Sequence, residues 1–135
     1  MAYLLDTNVI SELRKPKPHG AVVAWIKEVP EPALFIAAIT IGEIQAGIEI
    51  TRGRDVSKAQ EIEAWLNQLV ESQQVIAADA AIFRSWARLM HGRPDHLLED
   101  ALIAATALTH DLTVATRNGK DFQPFGVRLV NPFQH

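Results

Sequence analysis

Residues 3–13 read YLLDTNVISEL, and the order of residue types in that stretch decides how the chain has to fold. Tyr3, Leu4 and Leu5 form a short apolar run suited to a strand buried on both faces. Asp6 arrives where such a strand would leave the core, and Thr7 and Asn8 after it are short and polar. VISELR, residues 9–14, then takes on helical character. Burial gains nothing from a carboxylate, so Asp6 either caps the helix or takes part in chemistry. Thr7 and Asn8 are better placed to cap, which favours chemistry.

Working outward, KPKPHG (15–20) breaks the first helix with two prolines and a glycine. AVVAWIKE (21–28) forms a second short helix, and VPEP (29–32) ends it. ALFIAAI (33–39) is a continuous apolar run bounded by turn signals, read as a second buried strand feeding a helix over 40–50. Ile62, Trp65, Leu66, Leu69 and Val70 recur at helical period in the next segment, with Ser57 and Gln60 as a capping-box pair. VIA (75–77) is a third strand, followed by a helix over 80–91 that GRPD (92–95) stops. LLEDALIAATALTH (97–110) is an alanine-rich helix suited to close packing on a sheet. TVAT (113–116) and VRLV (127–130) supply strands four and five. Short apolar strands alternating with helices imply βαβ units, a mainly parallel sheet of about five strands and a three-layer α/β/α sandwich, in one domain over 1–135.

With 48% hydrophobic and 21% charged residues the 135-residue chain has the balance of a folded protein. It contains no segment long and apolar enough to span a bilayer and no basic stretch leading into an apolar signal core, so a cytoplasmic location is expected. It has no cysteine, which excludes disulfides, thiolate nucleophiles and cysteine zinc sites. The net charge of −3 argues against a broad DNA-coating surface but not against nucleic acid altogether. With four acids gathered in one metal-neutralised cluster, 12 of the 16 Asp and Glu remain against 13 Lys and Arg.

Those four acids are Asp6, Glu43, Asp100 and Asp121. Ligands of open parallel sheets bind beyond the carboxyl ends of the strands, and Asp6, Glu43 and Asp121 each follow a strand end. Asp100 begins the helix that returns to strand four, which brings it to the same edge. Each acid also has a plainer reading. Asp6 is a possible cap, TIGE (40–43) matches a capping box, Glu99 and Asp100 complement a helix dipole, and Asp121 sits in an Asn-Gly turn. None of these explains four acids at one end of a sheet, where like charges repel unless a cation lies among them. Ligands limited to oxygen point to Mg²⁺ or Mn²⁺, an arrangement that activates water for phosphodiester hydrolysis. Composition and spacing leave the substrate open.

Together YLLDTNVISEL, ITIGEIQAGI, LEDALIAATAL and VATRNGKDF resemble the PIN-domain ribonucleases, and among them the toxin subunits of bacterial toxin–antitoxin pairs of the VapC and FitB type. The resemblance spans nearly the whole chain. It places the family's acidic quartet on Asp6, Glu43, Asp100 and Asp121, and its supporting polar positions on Asn8, Thr116 and Asn118. It implies Mg²⁺- or Mn²⁺-dependent endoribonuclease activity on structured RNA of the tRNA or rRNA class. It also implies a homodimer, a cognate antitoxin that inserts a segment into the acidic groove, and contact with operator DNA only through that antitoxin. A PIN fold kept as a binding module, with little or no nuclease activity, is the alternative.

Other features carry less. The five histidines have no metal spacing among them, and the three tryptophans fall on apolar helix faces. Arg84 and Arg88 read as a solvated face, whereas Arg14, Lys15 and Lys17 are the candidates for RNA contact near the first strand. A haloacid-dehalogenase-type phosphotransferase needs an acid where Asn8 stands. A response-regulator receiver needs adjacent acids near strand one and a lysine after the last strand.

Overall fold

The computed structural model describes residues 1–135 and contains one five-stranded sheet, all parallel, in the order β3-β2-β1-β4-β5. The strands are β1 (Tyr3–Leu5), β2 (Leu34–Ala37), β3 (Gln74–Ile76), β4 (Thr113–Ala115) and β5 (Leu129–Val130). Around them run α1 (Thr7–Arg14), α2 (Gly20–Glu28), α3 (Ala38–Arg52), α4 (Val56–Ser72), α5 (Ala80–Met90), α6 (Leu98–His110) and the short α7 (Gly119–Phe122). Register pairs Leu4 with Phe35 on one side and with Val114 on the other. The expected α/β/α sandwich is therefore present, its sheet wholly parallel.

Period-two alternation divides the core in two. Leu4, Ala37 and Val114 point toward α5, α6 and α7, where they meet Ala101, Ala104, Ala107 and Phe122. Leu5, Leu34, Ile36 and Ala115 point the other way, onto Val9, Ile10, Val22 and Trp25 of α1 and α2. Both faces are covered, so the strands are continuous apolar runs. The alanines of α6 let its backbone lie close to the sheet, and residues 101–107 are all buried. No helix is long and apolar enough to cross a membrane.

Several helix starts differ from the sequence expectation. Asp6 itself caps α1, its Oδ1 accepting from the Thr7 amide at 2.8 Å, while Thr7 and Asn8 lie inside the helix. Asp55 caps α4 through the Lys58 amide, not Ser57. The TIGE pair forms no capping box, because α3 begins directly from β2 at Ala38 without a side-chain cap and already encloses Thr40. A capping box requires an extended residue ahead of the helix; here the N-cap is Ala37, three residues earlier than the Thr40 that the pattern suggests. At the other end of α6, Asp111 adopts the left-handed conformation (φ 54°) that turns the chain tightly into β4.

Candidate metal centre

The strand order reverses between β1 and β4: the chain leaves β1 toward β2 and β3 on one side, and β4 and β5 lie on the other. This is the switch point at which open parallel sheets bind ligands, because adjacent loops diverge there and leave a crevice. Asp6 and Thr116 are the first residues past the two strands that flank it.

Asp6 is only 5% exposed, and donors surround its carboxylate. The Thr7 amide donates to Oδ1, while Asn8 Nδ2 (3.0 Å) and Thr116 Oγ1 (2.7 Å) both donate to Oδ2. The Asp6 amide is tied to the Ala115 carbonyl at 2.9 Å. Asn8 in turn accepts from the Arg117 amide, and Thr116 Oγ1 accepts from the Asn118 amide. The loop after β4 is thus laced to the loop after β1, and the Asp6 carboxylate has one orientation. Burial pushes its pKa up despite these donors, and the charge of Asp121 adds to the rise.

The remaining acids come from three further elements. Glu43 lies half-buried in the second turn of α3 and accepts from the Thr7 hydroxyl at 3.3 Å. Its pKa is raised to about 8 by burial first, then by a hydrogen bond and charge repulsion from Glu99, with Asp6 contributing. Asp100 occupies the first turn of α6, whose start is fixed by the Trp86 indole donating to the Leu98 carbonyl. Burial and repulsion from Asp6, Asp121 and Glu99 raise its pKa to about 6. Asp121, exposed in α7, is placed by its backbone amide, which donates a hydrogen bond to the Asn118 carbonyl at 3.0 Å. Asp6 is therefore within electrostatic reach of Glu43, Asp100 and Asp121 at one end of the sheet, where Asn8, Thr116 and Asn118 also lie.

Glu99 is the member that sequence reasoning missed. Its place beside Asp100 reads as dipole complement, and nothing in the linear sequence shows that α3 and α6 bring it to Glu43. The basic candidates divide: Lys15 bonds Glu12 Oε1 at 3.0 Å, Arg14 lies over the Trp65 ring, and Lys17 is exposed. All three stand at the far end of α1, roughly 12 Å from Asp6 along the helix.

No three of these acids, alone or with a histidine, converge closely enough to enclose an ion by side chains alone. The donor chemistry nonetheless suits a hard divalent cation: oxygen only, several carboxylates, and pKa shifts of the direction that a cation would reverse. Thr40, one turn before Glu43, has the only buried side-chain polar atom without a hydrogen-bond partner. The carboxylates available to such an ion are those of Asp6, Glu43, Asp100 and Asp121.

A model of the PIN domain matches residues 3–126. Toxin FitB of Neisseria gonorrhoeae is 34% identical over 137 residues, covering 96% of this chain and 97% of its own length. VapC ribonuclease Y4jK of Sinorhizobium fredii is 34% identical, covering 97% of each. The crystal structure of FitAcB from Neisseria gonorrhoeae superposes with a TM-score of 0.85 at 31% identity, over 98% of this chain and 99% of that one.

Proposed function

The chain belongs to the PIN-domain family, with FitB and VapC toxins as its relatives, and on that premise we propose that it is a metal-dependent endoribonuclease toxin of a toxin–antitoxin pair, acting through Asp6, Glu43, Asp100 and Asp121. One observation carries this reading: a buried carboxylate held by three donors at the sheet's switch point, with Glu43, Asp100 and Asp121 raising or sharing its charge problem and no basic side chain bonded to any of them. Such an arrangement costs stability and is retained where a cation offsets it. The acting unit is a single PIN domain over 1–135.

Mg²⁺ or Mn²⁺, when bound, lowers the pKa of water and offsets charge on the phosphate. The chain's own part is orientation and proton handling. Asn8, Thr116 and the Thr7 amide fix Asp6, so its lone pairs face the crevice in one geometry. Asn118 fixes Thr116 and Asp121 together. Glu43, its carboxyl pushed up to about 8 by burial and Glu99, is in its ionised form the strongest base among these acids and is suited to take a proton from the attacking water. As the water oxygen bonds to phosphorus the bond to the 3′-oxygen breaks, and that oxygen leaves as a hydroxyl after gaining a proton. The products are a 5′-phosphate and a 3′-hydroxyl.

The family resemblance extends the reading to biology. A cytoplasmic homodimer, restrained by a cognate antitoxin and meeting operator DNA only through it, would cleave an RNA of the tRNA or rRNA class. Arg14, Lys15 and Lys17 are the outer RNA contacts in this reading.

The test is incubation of purified protein with total cellular RNA, with Mg²⁺ or Mn²⁺ and with chelator. Discrete fragments that require metal and disappear in Asp6→Ala and Asp100→Ala are expected. A folded wild type that binds metal yet cleaves nothing would leave the binding-module alternative standing, and absence of metal binding would sink the site.

A further inference from the structure

Arg117 lies in the loop between Thr116 and Asn118, and its surroundings differ from those of every other basic residue near the acids. Its amide donates to Asn8 Oδ1 at 3.1 Å, and Asn8 itself donates to Asp6. The neighbours on both sides belong to the same network: Thr116 binds Asp6, and the Asn118 amide binds Thr116. The backbone of Arg117 is therefore fixed relative to the Asp6 carboxylate.

The side chain is fixed as well. Its guanidinium carbon lies 4.0 Å from the centroid of the Phe133 ring, close enough for a cation–π contact. Phe133 is delivered by a built turn: Asn131, just past β5, caps Pro132–Gln134 by accepting from the Phe133 amide at 3.0 Å. The imidazole of His19 meets the same ring edge-on, centroids 5.5 Å apart. His135 Nε2 lies 2.7 Å from Glu28 Oε2 of α2, which clasps the C-terminus down.

What the guanidinium lacks is an anionic partner. It forms no ion pair and no side-chain hydrogen bond within the chain, and the residue is exposed. Glu12 feels its charge, but Oε1 of Glu12 is occupied by Lys15 and Oε2 by the His19 amide. A planar fork of donors, held in place by Phe133 and left unpaired on a loop whose backbone is tied to Asp6 through Asn8 and Thr116, suits a phosphate group.

We propose that Arg117, braced by Phe133, grips a backbone phosphate of the RNA strand next to the bond being cut, with Phe133 as its positioning residue. This rests on the ribonuclease reading above and supplies what that reading lacks, a cation of the chain's own on the loop that is laced to Asp6. Arg14, Lys15 and Lys17 stand farther out, and Lys15 is already paired.

The experiment measures binding of a fluorescein-labelled single-stranded RNA of mixed sequence by anisotropy over a salt series. It uses an Asp100→Asn background so that the RNA survives, with thermal melts to verify folding. Arg117→Gln should weaken binding about tenfold and flatten the slope of log affinity against log salt by about 0.7, the signature of one lost phosphate contact. Arg117→Lys should restore the slope and only part of the affinity. Phe133→Leu should weaken binding several-fold in the presence of Arg117 and leave the Arg117→Gln protein unaffected. An unchanged salt slope in folded Arg117→Gln overturns the proposal, even if its melting temperature moves. Equal effects of Phe133→Leu with and without Arg117 overturn the positioning role. If the parent chain cleaves RNA with metal but the slope is unchanged, this proposal alone fails; if it neither binds nor cleaves, the ribonuclease reading fails and takes this one with it.

Discussion

Helix α3 contributes to two acidic clusters with opposite character. Near its C-terminal end Glu49 bonds Arg52 and Gln45, and both of these also reach Glu63 of α4. Every carboxylate there has a cationic or amide partner, and hydrogen bonding holds the pKa values of Glu49 and Glu63 below the usual range. Less than two turns earlier, Glu43 faces Glu99 and Asp6 and is pushed up to about 8. One helix thus carries a cluster complete in itself and another whose carboxylates have no cationic partner within the chain. Carboxylates that solve their own charge problem belong to structure, whereas those left unsolved at a switch point belong to chemistry.

The strongest way to break this contrast is at Asp6. Asp6→Asn keeps a capping side chain and the bulk but removes the charge, so the fold should persist while cleavage falls on the order of 10³-fold, or about 4 kcal/mol of barrier. RNA turnover beside a thermal melt checks both halves; activity surviving within tenfold would place Asp6 among the mere caps. One shell further out, Thr116→Val removes the 2.7 Å donor to Asp6. A loss of roughly 10–100-fold in metal affinity or turnover is expected, as for outer-shell partners generally, measured by Mn²⁺ titration.

A smaller effect concerns pH. Glu43 at about 8 and Asp100 at about 6 both lie above their ordinary values of 4.5 and 3.8. The folded chain therefore holds more protons than the unfolded one between about pH 4 and 8, and in chelator its stability falls as pH rises through that window. Mg²⁺ should restore the melting temperature, more at pH 8 than at pH 5. Glu43→Gln should flatten the profile, with a gain of roughly 1 kcal/mol at pH 8 after allowing for solvent screening of a half-exposed group. A metal-free melting curve that rises from pH 5 to 8 would contradict the site's electrostatics. Smallest of all, Arg52→Gln at the self-contained, solvent-exposed cluster should barely move the melting temperature and leave cleavage unchanged.

The positions of the acids were legible because each follows a recognisable strand or opens a recognisable helix. The helix starts were less so. TIGE has the letters of a capping box, yet Thr40 lies buried inside α3 because the strand passes into the helix without a loop. Thr7 and Asn8 read as better placed to cap α1 than Asp6, yet Asp6 is the residue that caps it. Local patterns score hydrogen-bonding types at fixed spacings; which residue is still extended when the helix begins depends on where the strand is pulled by its neighbours.

The alternation of apolar strands and helices, the absence of cysteine and the order of the four acidic segments were determined by the sequence alone, since periodicity and residue chemistry are local. The pairing of Glu99 with Glu43, the lacing of Asn8 and Thr116 around Asp6, and the placing of Phe133 under Arg117 were decided only by the tertiary structure. These contacts join residues 56, 108 and 16 positions apart, and only the strand order β3-β2-β1-β4-β5 says which loops meet.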